Sequence, residues 1–218
     1  MENDKAKITN LTDQAYKMIK DKIVNGEFKQ GDIISISAIA EQLSISRTPV
    51  TNACLRLEES KFLTIVPKQG VIINVITFND AREIYELRAA IETYSAKRAF
   101  SNISKLDIDY LKENCTNQEM CVANKDIVGF MREDTSFHRF ILTKSGNSHF
   151  FSMINTLFDR AFLLGLKTSE NPIRVKQCLE EHFEIVKCLQ NNNQAGFIDA
   201  IERNIINGYK SLTGNYQY

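Results

Sequence analysis

The chain has 218 residues, 43% of them hydrophobic and 25% charged, a size and balance that fit one large or two small globular domains and exclude a disordered polymer. Gly 9, Pro 3 and Cys 5 exclude collagen-like and disulfide-framework chains, and no apolar run approaches the ~18 residues of a membrane span. With 27 basic and 27 acidic residues the net charge is zero, which neither requires nor forbids a nucleic-acid partner, since a DNA-reading module needs only a local basic face. The opening Met-Glu-Asn-Asp-Lys has no signal-peptide character, so the expected location is the cytoplasm, without membrane attachment. Cys54, Cys115, Cys121, Cys178 and Cys188 are widely spaced with no Cys-x-x-Cys pair. They read as reduced thiols serving as small apolar residues.

Taken in chain order, the pattern predicts a helix from about Thr12 to Val24, with Ala15, Ile19 and Ile23 on one face and Asn25-Gly26 as its stop. Gln30-Gly31-Asp32 reads as a turn. A second helix covers Ser37 to Leu43, and Ser44-Ile45 is a tight link. Ser46 stands where an N-cap belongs for a third helix, Arg47 to about Ser60, with Pro49 in its first turn and Val50, Ala53, Cys54 and Leu57 as the buried stripe. Two strands, Phe62 to Val66 and Val71 to Val75, are joined by Pro67-Lys68-Gln69-Gly70 as a hairpin. Three helices followed by a two-stranded wing describe a winged helix-turn-helix.

From Phe78 onward six helices are expected. Thr77 or Asn79 caps the first, which runs to about Phe100. The others cover about Ser104 to Asn124, Asp126 to Thr143, Ser148 to Leu166, Pro172 to Gln190 and Gln194 to Leu212. The fold class is therefore mainly α: a winged helix-turn-helix over residues 1–77 and an all-α six-helix bundle over residues 78–218.

The run Ile39-Ala40-Glu41-Gln42-Leu43-Ser44-Ile45-Ser46-Arg47-Thr48-Pro49-Val50 resembles the helix-turn-helix of GntR-type transcription regulators. Tyr16-x-x-Ile19-x-x-x-Ile23-x-x-Gly26, Gly31-Asp32 and Pro67-x-x-Gly70 continue the resemblance. A recognition helix presents its N-terminal residues to base edges in the major groove. Arg47 stands at that end, where its guanidinium can bond guanine O6 and N7 together. Thr48 can reach a phosphate or a thymine methyl, and Ser46 and the free N–H groups of the helix start suit phosphate. Ser35 and Ser37, and Lys68, Gln69 and Gly70 at the wing, are further candidate DNA contacts. The family usually follows Thr-Pro-Val with Arg-Glu-Ala-Leu, whereas this chain has Thr51-Asn52-Ala53-Cys54. Thr51 cannot make the missing arginine's contact; Asn52 is either an adenine reader or an ordinary solvent-facing side chain.

The second half resembles the FCD domain, the all-helical ligand-binding domain of the branch typified by the fatty-acid regulator, in its shorter, vanillate-regulator-like form. Glu86-Leu87-Arg88-x-x-x-Glu92, Asp134-x-x-Phe137-His138, Ser145-Gly146-Asn147, Glu181-His182 and Asn204 carry that likeness. Many such domains hold a divalent metal with one Asp and three His. The resemblance implies Asp134, His138 and His182 as ligands of zinc, nickel or manganese, with Asn204 where the third histidine would be. The site is thus expected to be degenerate, because an amide oxygen is a poor partner for zinc. Hydrogen-bonded pocket histidines without metal are the competing reading. Arg88, with Asp134, His138, His182 and Asn204, is expected to line an effector pocket suited to a carboxylate, or else to form an ion pair with Glu92. Phe130, Phe137, Phe158 and Phe162 read as core, and His149 as a surface residue.

The expected function is a homodimeric, effector-responsive regulator, in most relatives a repressor, bound to a double-stranded operator. A metal-dependent enzyme built on Asp134, His138 and His182, or a winged module for protein contacts, are the alternatives.

Overall fold

The computed structural model describes the backbone of residues 2–214 and the side chains of that span except at 2–9, 152, 155 and 156; Met1 and residues 215–218 of the two expected domains lie outside the described residues. The chain divides into two compact units, Met1–Ile76 and Thr77–Tyr218.

The first unit runs α1 (Glu2–Val24), β1 (Ile33–Ile34), α2 (Ile36–Leu43), α3 (Arg47–Glu59), β2 (Leu63–Val66) and β3 (Gly70–Ile73). Ala15 and Ile19 of α1 are fully buried, as are Ile39 of α2 and Val50, Ala53, Cys54 and Leu57 of α3. These apolar stripes meet because each recurs at helical spacing on one side of its helix. The link between α2 and α3 is set by Ser44, whose φ of 53° lies in the left-handed region. There its N–H bonds the Glu41 carbonyl at 3.1 Å and the next N–H, of Ile45, bonds the Ala40 carbonyl at 3.1 Å. Two orphan carbonyls of α2 are thereby satisfied and the chain turns sharply into α3.

The wing has three strands, in the order β1-β3-β2, where the sequence predicts two. β3 pairs antiparallel with β2 (Leu63↔Ile73 to Val66↔Gly70) and with β1 (Ile33↔Ile72, Ile34↔Val71). β1 is two residues long, and what makes it a strand is a partner far along the chain, so no local period could mark it. β3 also ends earlier than expected, at Ile73 rather than Val75, while β2 ends at Val66 as expected. Gly70 has φ +122°, and a Cβ there would lie 2.3 Å from the Ile34 carbonyl oxygen. Only glycine lets β3 start so close to the β1–α2 backbone.

The second unit is all helical: α4 (Phe78–Ala99), a 3₁₀ turn (Phe100–Asn102), α5 (Lys105–Ala123), α6 (Ile127–Thr143), α7 (Ser148–Thr168), α8 (Pro172–Gln190) and α9 (Gln194–Leu212). Thr77 caps α4 and Ser104 caps α5 through reciprocal boxes with Asp80 and Asp107, while Asp126, Asn147, Asn171 and Asn193 cap the rest. Each box satisfies two N–H groups that the first turn leaves without partners. α4 packs on α6, α7 and α9, and α8 packs on α5 and α9. Phe130, Phe137, Phe158 and Phe197 are among the largest fully buried side chains.

Candidate functional site

In the first unit the predicted DNA contacts fall on α3, mostly at its start, on the start of α2 and on one hairpin tip. Ser46 occupies the N-cap position of α3, yet its side chain makes no capping bond. The hydroxyl and the first N–H groups of α3 therefore remain open to an anion. Arg47, Thr48 and Asn52 are exposed, and their side chains make no hydrogen bond or ion pair among the described residues. Thr51 differs: it is half-buried, and its hydroxyl donates to the Arg47 carbonyl at 2.9 Å. That bond ties the side chain to its own helix. Ser35 caps α2 by accepting from the Ala38 N–H at 3.1 Å, and Ser37 is exposed in the first turn. Lys68, with φ 66°, and Gln69 form the exposed hairpin tip. Gly70 contributes backbone shape there.

In the second unit Arg88, Asp134, His138 and Asn204 line one cavity of about 40 Å³, together with Tyr85, Cys178 and others. Neighbouring polar groups give it structure. Arg88, on α4, is buried and donates from Nε to Glu92 Oε1 at 2.6 Å, while its guanidinium lies over the Tyr85 and Phe158 rings. Arg88 thus pairs with Glu92 and also lines the cavity. Burial opposes the charges of this pair. Mutual attraction outweighs it, holding Arg88 above its ordinary range and Glu92, also facing His138, down to about 2. His138 Nδ1 sits 2.8 Å from Glu92 Oε2.

His182, on α8, is fully buried and stacked on Phe137 at 4.4 Å. Its Nδ1 lies 2.8 Å from Gln118 Oε1, and Gln118 in turn donates to Asn114 Oδ1 at 2.7 Å. Burial pushes the imidazole down to about 3, against the pull of Asp134, so it is neutral. With Nδ1–H donated to Gln118, the Nε2 lone pair faces Asp134, whose Oδ1 is 3.5 Å away. Histidines that ligate metals are held in this way, with the other ring nitrogen donating to an outer partner.

The metal set expected from the sequence was Asp134, His138 and His182. Among the described residues, the three groups whose donor atoms lie within 4.8 Å of one another are instead Asp134, Cys178 and His182, all buried. His138 stands beside them, its ring 5.3 Å from that of His182, with Nδ1 turned to Glu92. Asn204 is buried at the cavity wall, but its amide nitrogen donates to Glu181 Oε2 at 2.7 Å and approaches Cys178 Sγ at 3.7 Å. It serves as a donor, where an oxygen ligand was the most it was expected to offer. From the sequence Cys178 reads as a small apolar residue. Its sequence signal was available: it precedes His182 by one helical turn, the spacing that joins Asp134 to His138. Gln118 carries no such signal, because it lies on another helix. His149 is exposed, as expected.

Comparison with known proteins identifies the family of each unit. The model of the FCD domain matches residues 83–207, and that of the gntR family of bacterial regulatory proteins matches residues 11–73. The chain belongs to the gntR family of bacterial regulatory proteins, in the branch that carries an FCD domain. The HTH-type transcriptional repressor RspR of Escherichia coli K12 is 26% identical over 196 residues, 88% of this chain and 83% of that protein. The gluconate operon transcriptional repressor of Bacillus subtilis 168 is 24% identical over 199 residues, 87% and 79% of the two chains. Among solved structures, Escherichia coli McbR/YncC has the same fold, with TM-score 0.82 and 22% identity over 95% of this chain and 99% of that one. The family consists of transcription regulators, which bind DNA operators and take effector ligands in the FCD domain; it is not a class of enzymes. No helix among the described residues is long and apolar enough to cross a membrane.

Proposed function

We propose that this regulator is a cytoplasmic homodimeric repressor of the vanillate-regulator-like subgroup, with residues 1–77 reading DNA and residues 78–218 binding effector and partner. The observation that carries the effector reading is the buried guanidinium of Arg88 at a cavity wall it shares with Asp134, His138 and Cys178. An arginine fork binds carboxylates through paired hydrogen bonds, and more strongly out of water. A cavity of about 40 Å³ holds a few small atoms. The effector is accordingly a small carboxylate, bound beside a divalent metal such as zinc, nickel or manganese. Asp134 and His182 would hold that metal, with His138 adjoining. A cation there draws the carboxylate of an effector by charge. The chain's own part is to orient both imidazoles through Glu92 and Gln118 and to keep bulk water out.

On DNA, Arg47 reads a guanine, and Asn52 an adenine. Ser46, Thr48, Ser35, Ser37, Lys68 and Gln69 grip phosphates and fix the register, with Thr51 and Gly70 shaping the surface. Leu87, Leu106 and Met153, which stand exposed, are apolar surface for the second copy. The effector acts by binding unequally to the DNA-competent and incompetent states. The test is operator affinity, by fluorescence anisotropy, against a panel of small carboxylates. One of them should change the affinity of the parent protein and leave that of Arg88→Ala unchanged. An unchanged parent affinity across the panel, or an equal response from the variant, contradicts the reading.

A further inference from the structure

We propose that Cys178, as a thiolate, is the ligand that replaces the third histidine of this site, making it a one-sulfur centre that prefers zinc to manganese. The inference rests on the metal reading above and adds the identity of the third donor. Three observations carry it.

The first is distance. Tetrahedral zinc bonds of about 2.0–2.3 Å to oxygen, nitrogen and sulfur require donors separated by about 3.3–3.6 Å. Asp134 Oδ1 lies 3.5 Å from His182 Nε2 and 3.4 Å from Cys178 Sγ, and that sulfur lies 3.9 Å from the same nitrogen. Two of the three separations already fit one ion, and a small inward turn of the Cys178 or His182 side chain brings the third, at 3.9 Å, into range.

The second is Asn204. The amide at this position turns its N–H toward Cys178 Sγ, at 3.7 Å, while Glu181 holds it from the other side at 2.7 Å. An N–H aimed at sulfur stabilises a thiolate and orients it. The amide at position 204 therefore serves the sulfur at position 178.

The third is supply. α8 offers Cys178 and His182 one turn apart to the Asp134 carboxylate of α6, and the ring of His138, one turn from Asp134, stands 5.3 Å from that of His182. Without a cation the Cys178 thiol donates to Asp134 Oδ1 at 3.4 Å. A bound divalent ion displaces that proton, which passes to solvent. Thiolate then biases the site toward zinc over manganese, because manganese prefers oxygen donors.

The experiment loads the full chain, stripped with chelator, with cobalt(II) as an optical stand-in for zinc. The expected result is one bound equivalent with a sulfur-to-cobalt charge-transfer band in the near ultraviolet, present also in Cys121→Ser and displaced by zinc but not by manganese. Cys178→Ser should lose the band, and its zinc affinity should fall by at least about a hundredfold, the upper end of what loss of an outer partner costs. Bound cobalt without the band in the parent protein overturns the thiolate and leaves the metal site standing. Failure to bind any cobalt overturns both. Because the parent spectrum decides the matter, a variant that fails to fold does not remove the test.

Discussion

Arg47 and Gln118 mark the two ends of what single residues reveal. Arg47 sits inside a motif, at a helix start, with no hydrogen bond or ion pair from its side chain among the described residues. Arg47→Ala should weaken operator binding by about 1–3 kcal/mol and relax preference at one base pair, read by anisotropy on a set of single-base operator variants at fixed salt. Unchanged base preference would remove Arg47 as a reader. Gln118 was invisible in the sequence, because its role depends on α5 bringing it 2.8 Å from the His182 ring. Gln118→Ala should cost about 10–100-fold in zinc affinity, measured by competition with a chelating dye, since it frees the ring to turn. Equal affinity would show that His182 is not held as a ligand. The same contrast explains Asn204 and Cys178. Motif position announced a missing histidine, but which atom fills the gap is a matter of amide direction and sulfur distance, which one-dimensional spacing does not hold.

At the scale of elements, the helices of the second unit were legible because their punctuation is chemical. Thr77 and Ser104 open helices whose third residues, Asp80 and Asp107, close the capping boxes. Hydrogen bonds from Thr77, then Arg160, hold Asp80 down to about 2, and those from Lys144, then Ser104, do the same for Asp107. Both lie below the ordinary 3.8. Their stabilisation is therefore complete above that value and is lost as pH falls through about 2. The melting temperature should drop across this window, and Asp80→Asn with Asp107→Asn should flatten the drop; parallel acid limbs would show that the boxes contribute nothing. The wing was only half legible. Gly70 announced a turn, but its φ of +122° and the nearby Ile34 carbonyl belong to the unexpected β1 pairing. Gly70→Ala should destabilise the first unit by about 1–3 kcal/mol from backbone strain alone, before the clash is counted. A melting temperature equal to the parent's would mean that β1 is not held against β3.

At the scale of the whole molecule, a neutral chain reads DNA only if charge is placed locally and not carried in bulk. The exposed start of α3 and the Lys68 tip are where that placement falls. The most direct test is selection of binding sites from random duplex DNA by the full-length protein, followed by titration of the selected duplex against salt. The account predicts enrichment of an inverted repeat, as a two-fold dimer requires, and an affinity whose logarithm falls linearly with that of salt concentration. No enriched sequence, or an affinity indifferent to salt, would contradict it.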